Sequence, residues 1–120
     1  MVTISNSAGQ AIDGNVIAGL RELGGQELLR ELLGLFRADT PPRIAALEVA
    51  VAAGTVAEIG RVAHSLKSSC ANVGALVMSG LCRALEEEAR AGSAAHAEER
   101  LRALLAEWEL VQVRLGELEA

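Results

Sequence analysis

Between residues 64 and 75 the sequence reads His64-Ser65-Leu66-Lys67-Ser68-Ser69-Cys70-Ala71-Asn72-Val73-Gly74-Ala75. In a helix, residues three and four positions apart lie on the same face, so Lys67 and Ser68 would share a face with the His64 ring. A cation and a hydroxyl would then lie beside a nucleophilic, titratable side chain. This grouping is typical of a site that handles a phosphoryl group.

The apolar residues around this segment predict how its helix packs. A helix over 56–72 carries one apolar stripe at helical spacing: Ile59, Ala63, Leu66, Cys70 and Val73. At about 100° per residue, His64 lies about 140° from the middle of this stripe, so we expect its side chain to be exposed. The small residues Gly60, Ser68 and Ala71 would surround it and leave room for another protein.

Composition predicts an all-α fold. The chain has 120 residues, 51% of them hydrophobic, which suits a single core. It has one Phe, one Trp and no Tyr, and this scarcity favours helices over strands. We predict an up-down antiparallel helical bundle, with a four-helix core and a short N-terminal helix, over residues 12–120. Residues 1–11 are interpreted as a tail or a short docked strap.

Capping and helix-breaking residues divide the first half of the chain into segments. Asp13 is a candidate N-cap for a short helix that Gly24-Gly25 would end. A second helix begins near Gln26. At Thr40-Pro41-Pro42 two interpretations remain open: Thr40 caps a new helix with proline in its first turn, or one long helix is kinked there.

The second half predicts two further helices. For the helix over 76–91 we predict one face, namely Val77, Leu81, Ala84, Leu85 and Glu88. The run Glu86-Glu87-Glu88 is interpreted as a partly solvated face without a role in a site. The last helix carries a seam in alternating steps of three and four: Leu101, Leu104, Trp108, Val111, Leu115 and Leu118. Such a seam is typical of a bundle or a coiled coil.

Charge, hydropathy and cysteine spacing argue against a nucleic-acid-binding protein, a membrane or secreted protein, and a metal or redox site. With 16 acidic and 11 basic residues the net charge is -5, which would repel nucleic acid. We find neither an apolar run long enough for a membrane span nor a secretory signal, so a cytoplasmic location is expected. Cys70 and Cys82 are expected to be reduced, packed and offset by several ångströms along antiparallel helices. Neither has the spacing of a metal or redox motif.

The 64–75 segment resembles the phospho-acceptor helix of histidine-containing phosphotransfer (HPt) domains, usually His-x-Leu-Lys-Gly-Ser-Ser/Ala-x-Asn-Leu-Gly-Ala. The chain departs from that pattern mainly by placing Ser68 where the family prefers glycine. The stretch 23–36 also looks like the second helix of these domains. The resemblance extends over about residues 13–118, and it is weaker over 23–36 and 81–90.

The resemblance implies a phosphoryl carrier in two-component signalling. His64 would accept a phosphoryl group from the aspartyl-phosphate of a receiver domain and pass it to another receiver. Lys67 would offset the charge of the phosphoryl group, and Ser68 is placed to hydrogen-bond the imidazole or the phosphate. Gly60, Arg61 and Ala71 would form the docking face for the receiver.

The implied partners are response-regulator receiver domains, and the chain fits either a free-standing protein or a domain of a hybrid sensor kinase. No cofactor is expected on this chain, since Mg²⁺ would be held by the receiver's carboxylates. No Gly-rich nucleotide loop is present, so autonomous kinase activity is not expected. The expected state is a monomer. The alternatives are a non-catalytic helical scaffold or regulator that binds a receiver or kinase, and a dimeric coiled coil through the 101–118 seam.

Overall fold

The computed structural model describes residues 8–119, and within that range it confirms the all-α bundle. The helices are α1 (Ala8–Ala11), α2 (Gly14–Ala53), α3 (Val56–Asn72), α4 (Leu76–Arg90) and α5 (Ala97–Glu119). Residues 1–7 of the predicted tail lie outside the described residues. The rest of that segment, α1, packs against α5, with Ala11 buried.

α2 consists of two helical segments. Asp13 is its N-cap, and the side-chain oxygen of Asp13 accepts a hydrogen bond of 2.7 Å from the backbone N–H of Asn15. The backbone leaves the helical region at Gly24 and Gly25, and Gly25 has φ 74°, a left-handed conformation that favours glycine. The predicted break at this pair is confirmed.

From residue 26 to residue 53 the helix continues through both prolines. Thr40 is buried inside it, and its hydroxyl donates a hydrogen bond of 2.6 Å to the carbonyl oxygen of Phe36, one turn earlier. The interpretation of Thr40 as an N-cap is therefore wrong. Phe36 and Ile44 are buried on either side of the proline pair, so packing holds both halves of the helix against one core.

The core lies between α2, α3, α4 and α5. The five residues of the predicted α3 stripe are all buried, which confirms the rotation of that helix. The α5 seam faces inward, and its Trp108 meets Phe36 edge to face, with ring centroids 5.9 Å apart. This bundle covers most of the seam that a coiled-coil dimer would need. Within residues 8–119, no helix is long and apolar enough to cross a membrane.

The predicted face of α4 is only partly right. Leu85 is buried and Leu81 packs partly against the core, but Val77 is 39% exposed. The residues that turn inward are Met78, Ser79, Cys82, Leu85, Glu86 and Ala89. The prediction assumed that the buried face would be the most apolar one. Ser79 and Glu86 break that assumption because their polar groups are bonded to α3.

The segment between α1 and α2 closes over the turn that joins α3 to α4. The backbone N–H of Asp13 donates a hydrogen bond of 2.8 Å to the carbonyl oxygen of Gly74. Gly74 has φ 85°, and a Cβ placed on it would lie 2.9 Å from the Cβ of Val16. Glycine is therefore required twice over, by its backbone conformation and by the close approach.

Candidate functional site

His64 projects from the solvent side of α3. Its neighbours Ala63 and Leu66 are buried, while the His64 side chain keeps 55% of its surface exposed. The predicted exposure is confirmed. Burial of the opposite stripe orients the helix, so the imidazole is available to a partner at little cost to packing.

The carboxylate of Glu86 on α4 lies directly beside the His64 ring. Its oxygen Oε2 is 2.6 Å from Nδ1 of His64 and 2.7 Å from an Nη of Arg90. Its other oxygen, Oε1, accepts a hydrogen bond of 2.6 Å from Nζ of Lys67. The Glu86 side chain is only 2% exposed, so a single buried carboxylate joins the three basic side chains.

Electrostatics fix the proton arrangement at the ring. The hydrogen bond from Lys67 lowers the pKa of Glu86; burial opposes this effect, and His64 and Arg90 reinforce it. An ionised carboxylate only accepts hydrogen bonds, so Nδ1 of His64 must be the donor. In the neutral imidazole the lone pair then resides on Nε2, which is the nucleophilic nitrogen.

Small residues bring α3 and α4 close enough for this contact. A Cβ on Gly60 would lie 3.3 Å from the Cβ of Ala89, so glycine permits a close approach near the site. The buried hydroxyl of Ser79 donates a hydrogen bond of 2.9 Å to the carbonyl oxygen of Lys67. Together these contacts set the spacing and the register of the two helices beneath His64.

A shallow cleft runs beside His64. Its lining consists of Val56, Ala57, Gly60, Arg61, His64, Ala89 and Arg90. The cleft contains two residues of the predicted docking face, Gly60 and Arg61, and the guanidinium of Arg61 makes two hydrogen bonds to Glu58, at 2.6 and 2.8 Å. Ala71, the third predicted docking residue, is exposed on the same helix but does not line this cleft.

Ser68 makes a different contact from the predicted one. Its hydroxyl donates to the carbonyl oxygen of His64, at 3.3 Å, and so contacts the backbone and not the ring. Such a bond to the preceding turn is common for serine in a helix. The side chain is exposed one turn beyond His64 and keeps its place on the predicted face.

Sequence reasoning missed Glu86 and Arg90. A run of three glutamates is normally solvated, and nothing in its composition distinguishes the first from the other two. The usable signal was geometric: Ser79, Cys82, Glu86 and Ala89 form a stripe of small or polar residues at helical spacing. Arg90 follows Glu86 by four positions, which places a cation on the same face.

Cys70 on α3 and Cys82 on α4 are both buried in the core, and their predicted axial offset stays a prediction. The neighbouring Cys82 thiol and burial raise the pKa of the Cys70 thiol above its ordinary value. Both thiols are free and buried, so the pair is a packing element of the α3–α4 interface. Among residues 8–119, no group of three or more His, Cys, Asp or Glu side chains could hold a metal ion.

An exposed imidazole on a helical bundle, with a carboxylate beside one ring nitrogen, is the arrangement expected of a helical phosphotransfer protein. Residues 31–114 match the family model of the Hpt domain, and the chain belongs to that family. Members of this family carry phosphoryl groups on a histidine within phosphorelays, and this chain is such a histidine phosphotransfer carrier.

Two relatives agree with this assignment. Histidine-containing phosphotransfer protein B (HptB) from Pseudomonas aeruginosa PAO1 is 31% identical in sequence to this chain, and its crystal structure superposes on this one with a TM-score of 0.83. That match covers 89% of this chain and 92% of HptB. The Sensor protein TorS from Escherichia coli (strain K12) is 33% identical over 89 residues, 74% of this chain. The matched region is only 10% of the length of TorS.

Proposed function

We propose that His64 is the phospho-acceptor of this carrier and that it exchanges phosphoryl groups with the aspartate of receiver domains. One observation carries the proposal: His64 is exposed, while the buried Glu86 carboxylate, 2.6 Å from Nδ1, holds the proton on that nitrogen. This leaves the lone pair of Nε2 free to attack phosphorus.

The transfer step uses groups already in place. The Nε2 lone pair attacks the phosphorus, and the N–P bond forms as the O–P bond to the receiver's aspartate breaks. The aspartate leaves as a carboxylate, and the Nδ1 proton stays on the ring. Lys67 and Arg90 lie on the two sides of Glu86, where their charges can offset the negative charge of the transferring group.

Receiver docking is proposed on the face of α3 that carries His64. The cleft beside the imidazole and the small side chains at Gly60, Ser68 and Ala71 support this, because they let a second protein approach the ring closely. Mg²⁺ would be held by the receiver's carboxylates. A cytoplasmic, monomeric carrier that does not phosphorylate itself with ATP fits the same proposal.

The test is phosphoryl transfer from a receiver domain loaded with acetyl phosphate in the presence of Mg²⁺. We expect an acid-labile, base-stable phosphate on the parent protein and none on His64→Gln. His96→Gln is the matched control because His96 is the other histidine of the chain, and it should be phosphorylated normally. Transfer to His64→Gln would overturn the assignment of the acceptor.

Docking has a separate test. Ala71→Trp places a large side chain on the proposed face without touching the core, so it should weaken receiver binding by tenfold or more while circular dichroism remains unchanged. Binding measured by titration calorimetry at the parent affinity would place the receiver elsewhere. A receiver that binds the parent without transferring phosphate would favour the scaffold function.

A further inference from the structure

The charge balance around His64 changes when the ring is phosphorylated. The nucleophilic form of the ring is the neutral imidazole, and in that form its proton lies on Nδ1, facing the Glu86 carboxylate. When Nε2 forms its bond to phosphorus while Nδ1 keeps its proton, the ring becomes a cation. The contact between Nδ1 and Oε2 of Glu86, which is 2.6 Å long in the unphosphorylated protein, would then join a positive ring to a negative carboxylate.

The charged groups near the ring make Glu86 the anion that faces it. On α3 these groups are Lys67 and Arg61, of which Arg61 is paired with Glu58. On α4 they are Glu86 and Arg90. On α2, Arg43 is bonded to Ser69, further along α3.

Glu86 itself cannot take the proton readily. Its pKa is lowered by Lys67, His64 and Arg90, so it remains a carboxylate at neutral pH. A catalytic carboxylate beside a histidine works in the same way in serine proteases, where it orients the ring and stabilises the imidazolium without being protonated.

We propose that Glu86 keeps the Nδ1 proton on the ring after His64 has been phosphorylated, and so keeps the phosphoryl group transferable. The inference rests on the proposed function of His64. It makes Glu86 a positioning residue with an electrostatic role in the onward step. When the phosphoryl group leaves a protonated ring, the N–P electron pair returns to Nε2 and the product is neutral imidazole. A ring without the Nδ1 proton would have to leave as an imidazolate anion, which is a far poorer leaving group.

The experiment compares the parent protein with Glu86→Gln. Glutamine retains an oxygen that can accept from Nδ1 and removes only the charge. Both proteins are phosphorylated with phosphoramidate, and loss of phosphohistidine to water is followed by ³¹P NMR between pH 5 and pH 9. Glu88→Gln is the matched control, because Glu88 lies on the same helix and is also ionised, but its partners are Arg100, Ser93 and His96.

We expect the two decay rates to converge near pH 5 and to separate as the pH rises. Where only the variant's ring has lost its proton, the parent should decay faster by up to about tenfold per pH unit. Glu88→Gln should follow the parent. A constant ratio of rates across the pH range would leave Glu86 with a purely geometric role and would overturn the proposal, as would identical profiles.

A second measurement does not depend on the variant folding well. In ¹⁵N-labelled phosphorylated parent protein, Nδ1 of His64 should still show a protonated shift at pH 8, with His96 as an internal reference. Loss of that proton near pH 7 would overturn the proposal. Neither measurement uses a receiver domain. If the decay rates and the Nδ1 shift behave as expected but no phosphoryl group is transferred from a receiver, the proposed function fails and the role of Glu86 stands.

Discussion

α3 and α4 build the site in opposite ways. α3 presents His64 to solvent and buries a purely apolar stripe, so its chemistry and its packing occupy different faces. α4 buries Glu86 and Ser79 in the interface itself, and these polar groups are satisfied by atoms of α3. The difference teaches that substitutions on the exposed face of α3 should separate function from stability, whereas substitutions on the inner face of α4 should change both.

The strongest test of the α3 side is its buried stripe. Leu66→Ala should cost about 2–5 kcal/mol in free energy of unfolding, because Leu66 is fully buried and the cavity would not collapse. Urea denaturation followed by circular dichroism measures this loss. His64→Ala is the paired control: Glu86 loses one bond but keeps those to Lys67 and Arg90, so the loss of stability should stay within about 1 kcal/mol. Similar losses in the two variants would contradict the division of α3 into a packing face and a chemical face.

On α4, Glu86→Ala should lower both the free energy of unfolding and the rate of phosphoryl transfer. It removes the bonds to Lys67 and His64, and the expected cost is about 1–2 kcal/mol, since the partners are partly exposed and regain water. Phosphoryl transfer should slow at the same time. Glu87→Ala, one residue further along and exposed, should leave both quantities unchanged. A stable but slow Glu86→Ala variant would show that this carboxylate contributes to chemistry alone.

The pH dependence of stability should follow from the same carboxylate. The pKa of Glu86 is lowered in the folded state, so its contribution is present above the unfolded value near 4.5 and is lost as pH falls through the folded value. The parent's urea midpoint should therefore decrease below about pH 4.5. Glu86→Gln should show a shallower decrease over that range. Equal slopes would mean that other carboxyls, such as Glu88, dominate the acid response.

The smallest expected effect is at Ser68, where the chain departs from the family pattern. Ser68→Gly should lower stability by about 0.5 kcal/mol through helix propensity while transfer is retained. Ser68→Leu should retain stability and impair receiver docking, because the larger side chain lies one turn from His64. Transfer by Ser68→Leu at the parent rate would show that position 68 does not face the receiver.

The rotation of a helix could be predicted from the sequence where its buried face consists only of apolar residues at helical spacing. The α3 stripe and the α5 seam are apolar at helical spacing, so both rotations could be predicted and both are confirmed. Prediction failed on α4 because hydrophobicity cannot identify a buried carboxylate whose partners lie on another helix. Lys67 and His64 were predicted together, but the group that joins them, Glu86, requires the register of α3 against α4. That register depends on Gly60 and Ser79, whose contacts are tertiary.

The bond between Asp13 and Gly74 has a mechanical consequence. The family match begins at residue 31, yet residues 13–17 close the corner where the acceptor helix ends. A pulling force applied ahead of α1 would therefore reach that corner directly through a 2.8 Å hydrogen bond and the Val16 contact. In a chain that begins at residue 31, the turn between α3 and α4 would lose these contacts with Asp13 and Val16. We expect the C-terminal end of α3 to unfold locally before the segment around His64 does.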